Sequence, residues 1–423
     1  MTARFEAPAR MIGRVRGAKG LTLSATVPGA RRGDWVRIER ADAPPLDAEV
    51  IAFDADSVTL MPLGDVRGVG PGDPVEVLGR SFGVRCGPSL LGRVVDGIGR
   101  PIDGGPDLTG TLTAIERAPP RAIERPRIAR TLTTGVRAID ALCTVGEGQR
   151  MGLFAPAGVG KTTLLAQLAS HADADVIVIC LIGERGRELN EFLEDALSPE
   201  ARARSVVVCA TSDASPLERT KSAQLATTFA EHFRGQGRRV LLLVDSLTRL
   251  VRAAREVGLA SGEPPARRGF PPSAFTALAP LLERAGLTRT GSITAFYTVL
   301  VEGNDPDEPV ADEVRGLLDG HLVLERRLAE LGHFPPLDVP RSLSRLMHAL
   351  VSPPHREAAQ RVRAWLAHLE IKRDLVELGV TQPGADPLLD RALEKLPRIQ
   401  SLVRQERHER AALADTLERL CRL

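Results

Sequence analysis

Lys161 and Thr162, in the stretch LFAPAGVGKTTLLAQLA, have the residue types and order of a phosphate-binding loop. A lysine at that point neutralises β- and γ-phosphate oxygens, and the hydroxyl after it is offered to Mg²⁺. The pattern G-x-x-x-x-G-K-[ST] is broken at its first position, which here is Ala155, followed by Pro156. Gly158 and Gly160 remain beside the lysine, where backbone N–H groups must come nearest to a phosphate. Ala155 falls at the exit of a strand, where a methyl matters less, and Pro156 removes one N–H from the outer edge of the loop. Ala157, Gly158, Val159, Gly160, Lys161, Thr162 and Thr163 are therefore the expected nucleotide-binding segment. The alternative is an ordinary glycine-containing turn. A strand-like MGLFA before the loop and a helix-like TTLLAQLA after it favour the phosphate reading.

Two carboxylates end apolar runs elsewhere in the chain. RRVLLLVDSLTRL closes at Asp245, and the carboxyl ends of parallel strands are where such sheets meet ligands. Asp245 would there hold Mg²⁺ through water and complement Thr162, unless it only caps the helix that follows. DVIVICLIGERGRE closes at Glu184, with Arg185 and Glu188 just beyond. A carboxylate in that place would polarise water attacking a γ-phosphate; the alternative is a surface charge cluster. Arg345 in PRSLSRLM lies far downstream, and physics alone assigns it no role.

These groups need elements to position them. Up to about Arg80, LTLSATV, WVRIE, AEVIAF and SVTLMPL alternate apolar and polar residues between turn-rich segments, which predicts a small β-barrel. The Pro- and Arg-rich APPRAIERPRIAR reads as a connector. From about Thr131 to His348, apolar runs (DVIVICLIG, SVVVCA, RRVLLLVD, GSITAFYTVL) alternate with helix-like segments such as TLLAQLASHA and TKSAQLATTFAEHFRGQG. That alternation predicts a mainly parallel sheet wrapped by helices. In HREAAQRVRAWLAHLEIKRDLVELG, Val362, Trp365, Leu366 and Leu369 share one helical face, and two more amphipathic helices follow TQPGADP. The charged faces of these helices are either solvated or a partner surface.

Bulk properties narrow the class. With 423 residues, 43% hydrophobic and 26% charged, the chain suits a folded protein of two or three domains. A net charge of +2 lacks the basic excess of a generic nucleic-acid binder. The five cysteines are scattered, which suits reduced thiols rather than zinc or disulfides. No run approaches the roughly 20 apolar residues that a membrane span needs, and the first residues do not read as a signal peptide.

The order of these pieces resembles the type III secretion ATPases, the export motors of flagella and injectisomes, relatives of the catalytic subunit of rotary ATP synthases. The likeness runs through LLGRVVDGIGRPIDG, GVRAIDALCTVGEGQRMGLFAPAGVGKTTLL, LIGERGRELNEF, ATSDASPLERTKSA, VDSLTRLVRAAREVGLASGEPPARRGFPPSAF, GSITAFYTVLVEGNDPDEPVADEVRGLLDGHLVL and SLSRLMH. EPPARRGFPPS together with GSITAFYTVLVEGND is specific to it. The resemblance implies an α/β fold with a RecA-like P-loop core at 83–348. A barrel at 1–82 would precede it and a helical domain at 349–423 would follow.

By motif, the resemblance makes Glu184 the catalytic carboxylate, Arg185 a contact to the phosphate region and Glu188 a residue behind the magnesium ligands. Lys161 keeps its loop role, and Arg249 in DSLTR stands on the phosphate side. Arg345 in SLSR matches an arginine finger inserted from a neighbouring subunit. Phe334 in HFPPLDV matches an adenine-stacking position that is often tyrosine, and phenylalanine keeps the stacking face. Alanine at position 155 belongs to the family pattern; Pro156 and LERTKSA lean toward injectisomes.

The implied assembly is a homohexamer using ATP and Mg²⁺, because both halves of a shared site lie in one sequence. Implied partners are export substrates and their chaperones, a central stalk, stator proteins and an export gate. The implied location is cytoplasmic, at the inner face of the inner membrane. A non-catalytic ring subunit would be expected to lack Glu184. An RNA translocase on the same core would need a platform of stacking aromatics. The N-terminal region has only the widely spaced Phe5, Trp35, Phe53 and Phe82, so no nucleic-acid partner is expected. The basic N-terminus leaves contact with a stator or with acidic lipid open.

Overall fold

The computed structural model describes residues 12–78, 81–301 and 308–423; Phe5, most of the basic N-terminus and positions 302–307 lie outside the described residues. Strands β1 (Ile12–Lys19), β2 (Thr22–Thr26), β3 (Trp35–Ile38), β4 (Leu46–Phe53), β5 (Val58–Pro62) and β6 (Pro74–Val77) close into a barrel in the order β1-β2-β5-β4-β3-β6. Alternation turns Val36, Ile38, Ala48, Val50, Leu60 and Val75 inward as its core. Closure leaves no unpaired strand edge.

A mainly parallel sheet follows. Its elements in chain order are β7 (Val94–Asp96), α1 (Arg137–Leu142), β8 (Arg150–Ala155), α2 (Lys161–His171), β9 (Val176–Glu184), α3 (Gly186–Glu191) and β10 (Ser205–Thr211). Next come α4 (Pro216–Gly235), β11 (Arg239–Asp245), α5 (Leu247–Ala260), β12 (Ser292–Leu300), α6 (Pro309–Leu317), β13 (Gly320–Val323), α7 (Arg326–Glu330) and β14 (Leu343–Ser344). The strand order is β14-β13-β8-β12-β11-β9-β10-β7. All neighbours are parallel except the edge strand β14, and a short Gly286–Leu287 strand pairs antiparallel with β12.

Both faces of the sheet are covered, which is why its strands read as unbroken apolar runs. One face packs on α2 through Leu164, Leu165 and Leu168, the other on α4 and α5 through Leu225, Phe229 and Val251. The C-terminal helices α8 (Pro353–Ile371), α9 (Pro387–Val403) and α10 (Leu413–Cys421) join the α2 side. Val362 and Trp365 are buried there and Leu366 and Leu369 pack at its margin, as their spacing predicts. The first C-terminal helix ends at Lys372 and is succeeded by a short turn of helix at Arg373–Glu377. Residues 404–412 form a non-helical strap between α9 and α10.

Barrel and sheet share an interior. Trp35 stacks on Phe82 with ring centroids 4.3 Å apart, and Ile51, Met61 and Leu63 meet Ile98 and Leu217. These two aromatics are therefore seam residues. Lys221 of α4 is buried between Glu49 of β4 and Glu116 of the following connector, 2.6 Å from each carboxylate. All five cysteines are free thiols, and among the described residues no helix is long and apolar enough to cross a membrane.

Candidate active site

The loop at Ala155–Lys161 leaves the middle of the sheet. Ala155 is fully buried as the last residue of β8, paired with Leu300 of β12. A side-chain methyl there faces packed core rather than the loop interior. Gly158 (φ +75°) and Gly160 (φ +96°) both adopt the left-handed region. An added Cβ at either would meet nothing within 4 Å, so glycine is required here by backbone conformation alone. Lys161 opens α2 and is buried, whereas Ala157, Gly158 and Thr162 are exposed and Thr163 is half-buried. Arg326, at the start of α7, donates from Nη2 to the Ala157 carbonyl at 3.4 Å.

Pro156 is half-buried between the strand end and these glycines. Pro156→Gly is expected to lower stability by about 0.4–1 kcal/mol, through the freer unfolded chain. Nucleotide affinity and turnover should stay within about twofold, because the left-handed turns lie beyond it. Denaturant midpoints alongside steady-state kinetics check this; faster or slower nucleotide release would show that Pro156 stiffens the loop functionally.

Opposite Lys161, three strand ends supply oxygen atoms. The lysine Nζ pairs with Asp245 at the end of β11 and lies 3.8 Å from Glu184 Oε1 at the end of β9. Thr298, near the end of β12, donates its hydroxyl to Asp245 Oδ1 at 2.7 Å. Asp245 does not cap the next helix, contrary to the alternative left open by the sequence. That task falls to Ser246, whose Oγ accepts from the Arg249 N–H at 3.3 Å. Arg249, thus fixed in the first turn of α5, places Nη2 at 3.2 Å from Glu184 Oε2. Gly183 (φ +68°) makes the close approach possible, since a Cβ there would stand 3.0 Å from Arg249 Cδ.

Glu184 is not a surface charge; its side chain is 13% exposed and enclosed by Lys161, Arg249 and Glu188. Burial pushes its carboxyl up to about 7, helped by a hydrogen bond with Glu188 and by the nearby Asp245, against Lys161 and Arg249. Glu188 moves the opposite way: its bond with Glu184 and the Arg185 N–H, 3.4 Å from Glu188 Oε2, favour its ionised form. The pair is therefore split, with Glu184 shifted toward its protonated form and Glu188 toward its ionised form.

The structure thus joins Lys161, Glu184, Glu188, Asp245 and Arg249 in one cluster. Arg185 is exposed at the start of α3. Phe334, 49% exposed in the turn after α7, makes its carbonyl contact with the strap residue Gln405, whose N–H donates at 2.8 Å. Arg345 follows the edge strand β14, exposed, with Nη2 bonded to the Arg315 carbonyl at 3.3 Å and its N–H to the Asp319 carbonyl at 3.1 Å. It stands at the sheet edge, and its contacts are to Arg315 and Asp319 rather than to the lysine–carboxylate cluster of its own chain.

The available donors for a cation, the hydroxyl of Thr162 and the carboxylates of Asp245 and Glu188, are hard oxygens of the kind Mg²⁺ takes. Among the described residues no three or more His, Cys, Asp or Glu side chains form a ready cage. Thr298, Arg326 and Gln405 escaped the sequence reading; Thr298 sits inside GSITAFYTVL, where nothing but its polarity in an apolar run marks it.

Residues 135–344 match the family model of the ATP synthase alpha/beta family, nucleotide-binding domain, and 351–422 that of the T3SS EscN ATPase C-terminal domain. The chain is 49% identical over 422 residues to a type 3 secretion system ATPase of Pseudomonas syringae pv. syringae, covering 98% of this chain and 94% of that protein. It is 47% identical to the flagellum-specific ATP synthase of Salmonella typhimurium, over 97% of this chain and 93% of that one. The assembled ATPase EscN of enteropathogenic E. coli superposes with a TM-score of 0.92, and EscN in complex with its central stalk EscO with 0.90. Each is 44% identical and covers 97% of this chain and 99% of its own.

Proposed function

We propose that this chain, which belongs to the type III secretion ATPase family, hydrolyses ATP with Mg²⁺ at sites completed between neighbouring copies of a homohexameric ring. Its units would be the barrel at 1–82, the ATPase core at 83–348 and the C-terminal helices at 349–423. The observation that carries the catalytic reading is the Glu184 carboxyl, raised to about 7 and standing 3.8 Å from the phosphate-loop lysine.

In this reading the loop Ala157–Thr163 wraps the phosphates and Lys161 leaves Asp245 to neutralise the β- and γ-oxygens. Thr162 and Asp245, with Glu188 behind them, would hold Mg²⁺, which would neutralise charge developing on the phosphate oxygens. Glu184 orients the attacking water and accepts its proton, and Arg249 holds that carboxylate in place. Phe334 stacks on the adenine. Arg345 of the adjacent copy, with Arg185 near the phosphates, stabilises the transition-state charge.

The ring would sit in the cytoplasm, peripheral to the inner face of the inner membrane. Chaperone–substrate complexes would dock on its C-terminal helices for release, unfolding and delivery to an export gate. The central stalk of EscN supports an equivalent stalk here, with stator proteins as further partners. We favour an injectisome; the 47% identity to a flagellar member supports export of flagellar substrates as the second reading. Phosphate release by the purified chain should require both ATP and Mg²⁺. Nucleotide binding without release would make it a non-catalytic ring subunit instead.

The Glu184 shift also sets a pH dependence. Only the ionised carboxylate accepts a proton, so kcat/KM is expected to fall as pH drops through about 7 and to level off above it. A pH–rate profile checks this. A flat profile between pH 6 and 8, roughly one pH unit on either side of that value, would contradict the raised carboxyl.

A further inference from the structure

We infer that Gln405 is a positioning residue for the base-side wall of the nucleotide site, holding Phe334 in place through the backbone. This rests on the reading of Phe334 as the adenine-stacking residue. The Phe334 ring is half exposed, so little packing can hold it, and its orientation must come from its own main chain. That main chain is tied to the strap by the Gln405 N–H, which donates to the Phe334 carbonyl at 2.8 Å.

The Gln405 side chain is buried and its amide is fully used. Oε1 accepts from the Arg137 N–H at 2.8 Å, and Nε2 donates to the carbonyls of Gly135 at 2.7 Å and Glu409 at 2.6 Å. An amide offers two donors and an acceptor on one plane, and all three meet backbone here. Gly135 in turn lies against the far end of the phosphate-loop helix, since a Cβ on it would be 2.6 Å from His171 Cβ. The contacts therefore run from Phe334 through Gln405 and Gly135 to α2, whose first residue is Lys161. A second tie repeats the connection: Gln167 of α2 donates from Nε2 to the Glu406 carbonyl at 3.0 Å. The base wall and the phosphate loop, far apart in sequence, are thereby set at a fixed separation.

Glutamate at 405 is the informative change. It keeps shape and the acceptor for Arg137, but turns a carboxylate oxygen toward two carbonyls that now lack a donor. The experiment measures affinities of the full-length chain for ADP and for inorganic pyrophosphate, which has no base, in Gln405→Glu, Gln405→Ala and Phe334→Ala. ADP affinity is expected to fall about tenfold in each, with pyrophosphate within about twofold. Equal losses for both ligands in the Gln405 variants would overturn the inference, placing the effect on the phosphate loop or on folding. An ADP loss confined to Phe334→Ala would also overturn it while leaving the stacking role intact. Unchanged ADP affinity in Phe334→Ala would remove the stacking reading and the inference with it.

Discussion

Arg345→Ala is expected to lower ATP turnover by about 10³-fold while ADP affinity stays within about twofold. The residue is exposed at the sheet edge, and among the described residues its side chain is bonded to the Arg315 carbonyl at 3.3 Å. Truncating it should therefore leave the fold unharmed. Its main chain is anchored more firmly, by Asp319, whose carboxylate also grips Arg150 at 3.0 and 3.1 Å. A guanidinium presented this way is free of the site in its own chain, as the proposed role in a neighbour's site requires. Mixed rings provide the decisive measurement. An Arg345→Ala subunit keeps its own Glu184, and an adjacent Glu184→Gln subunit can lend it an intact Arg345. Some activity should return on mixing the two inactive proteins. No recovery in rings shown to be mixed would sink the in-trans geometry.

Glu184→Gln should cost about 10²–10⁴ in kcat, the usual contribution of a positioned general base. The amide preserves volume and a hydrogen bond to Glu188, and it relieves the repulsion from Asp245 that helps to raise the carboxyl. Nucleotide binding is therefore expected to hold or tighten. The limb of the pH profile near 7 should vanish from whatever rate remains. Single-turnover phosphate release with bound nucleotide measured in parallel separates these effects. Turnover near that of the parent chain would assign proton acceptance elsewhere.

The frame around these groups was largely legible, for reasons visible in individual runs. VIVICLIG, SVVVCA and VLLLV are short, continuous apolar runs that suit strands of a sheet buried on both faces, and the first and third end at Glu184 and Asp245. Strand β7 was not foreseen, because Val94–Asp96 is three residues long and gains its place only by pairing with β10. Asp245 and Ser246 could not be told apart as caps from sequence, since both residue types cap helices; the burial of Asp245 against Lys161 and Thr298 separates them. Gln405 was invisible for a different reason. Its partners Arg137 and Gly135 lie more than half the chain away, and a glutamine among charged residues carries no periodicity that would mark it as buried.

Lys221 gives the molecule a mechanical property. It is buried and paired with both Glu49 of the barrel and the half-exposed Glu116, so lifting the barrel off the core would break its ion pair with Glu49. Barrel and core are therefore joined by a buried charge pair as well as by apolar contacts, and both resist their separation.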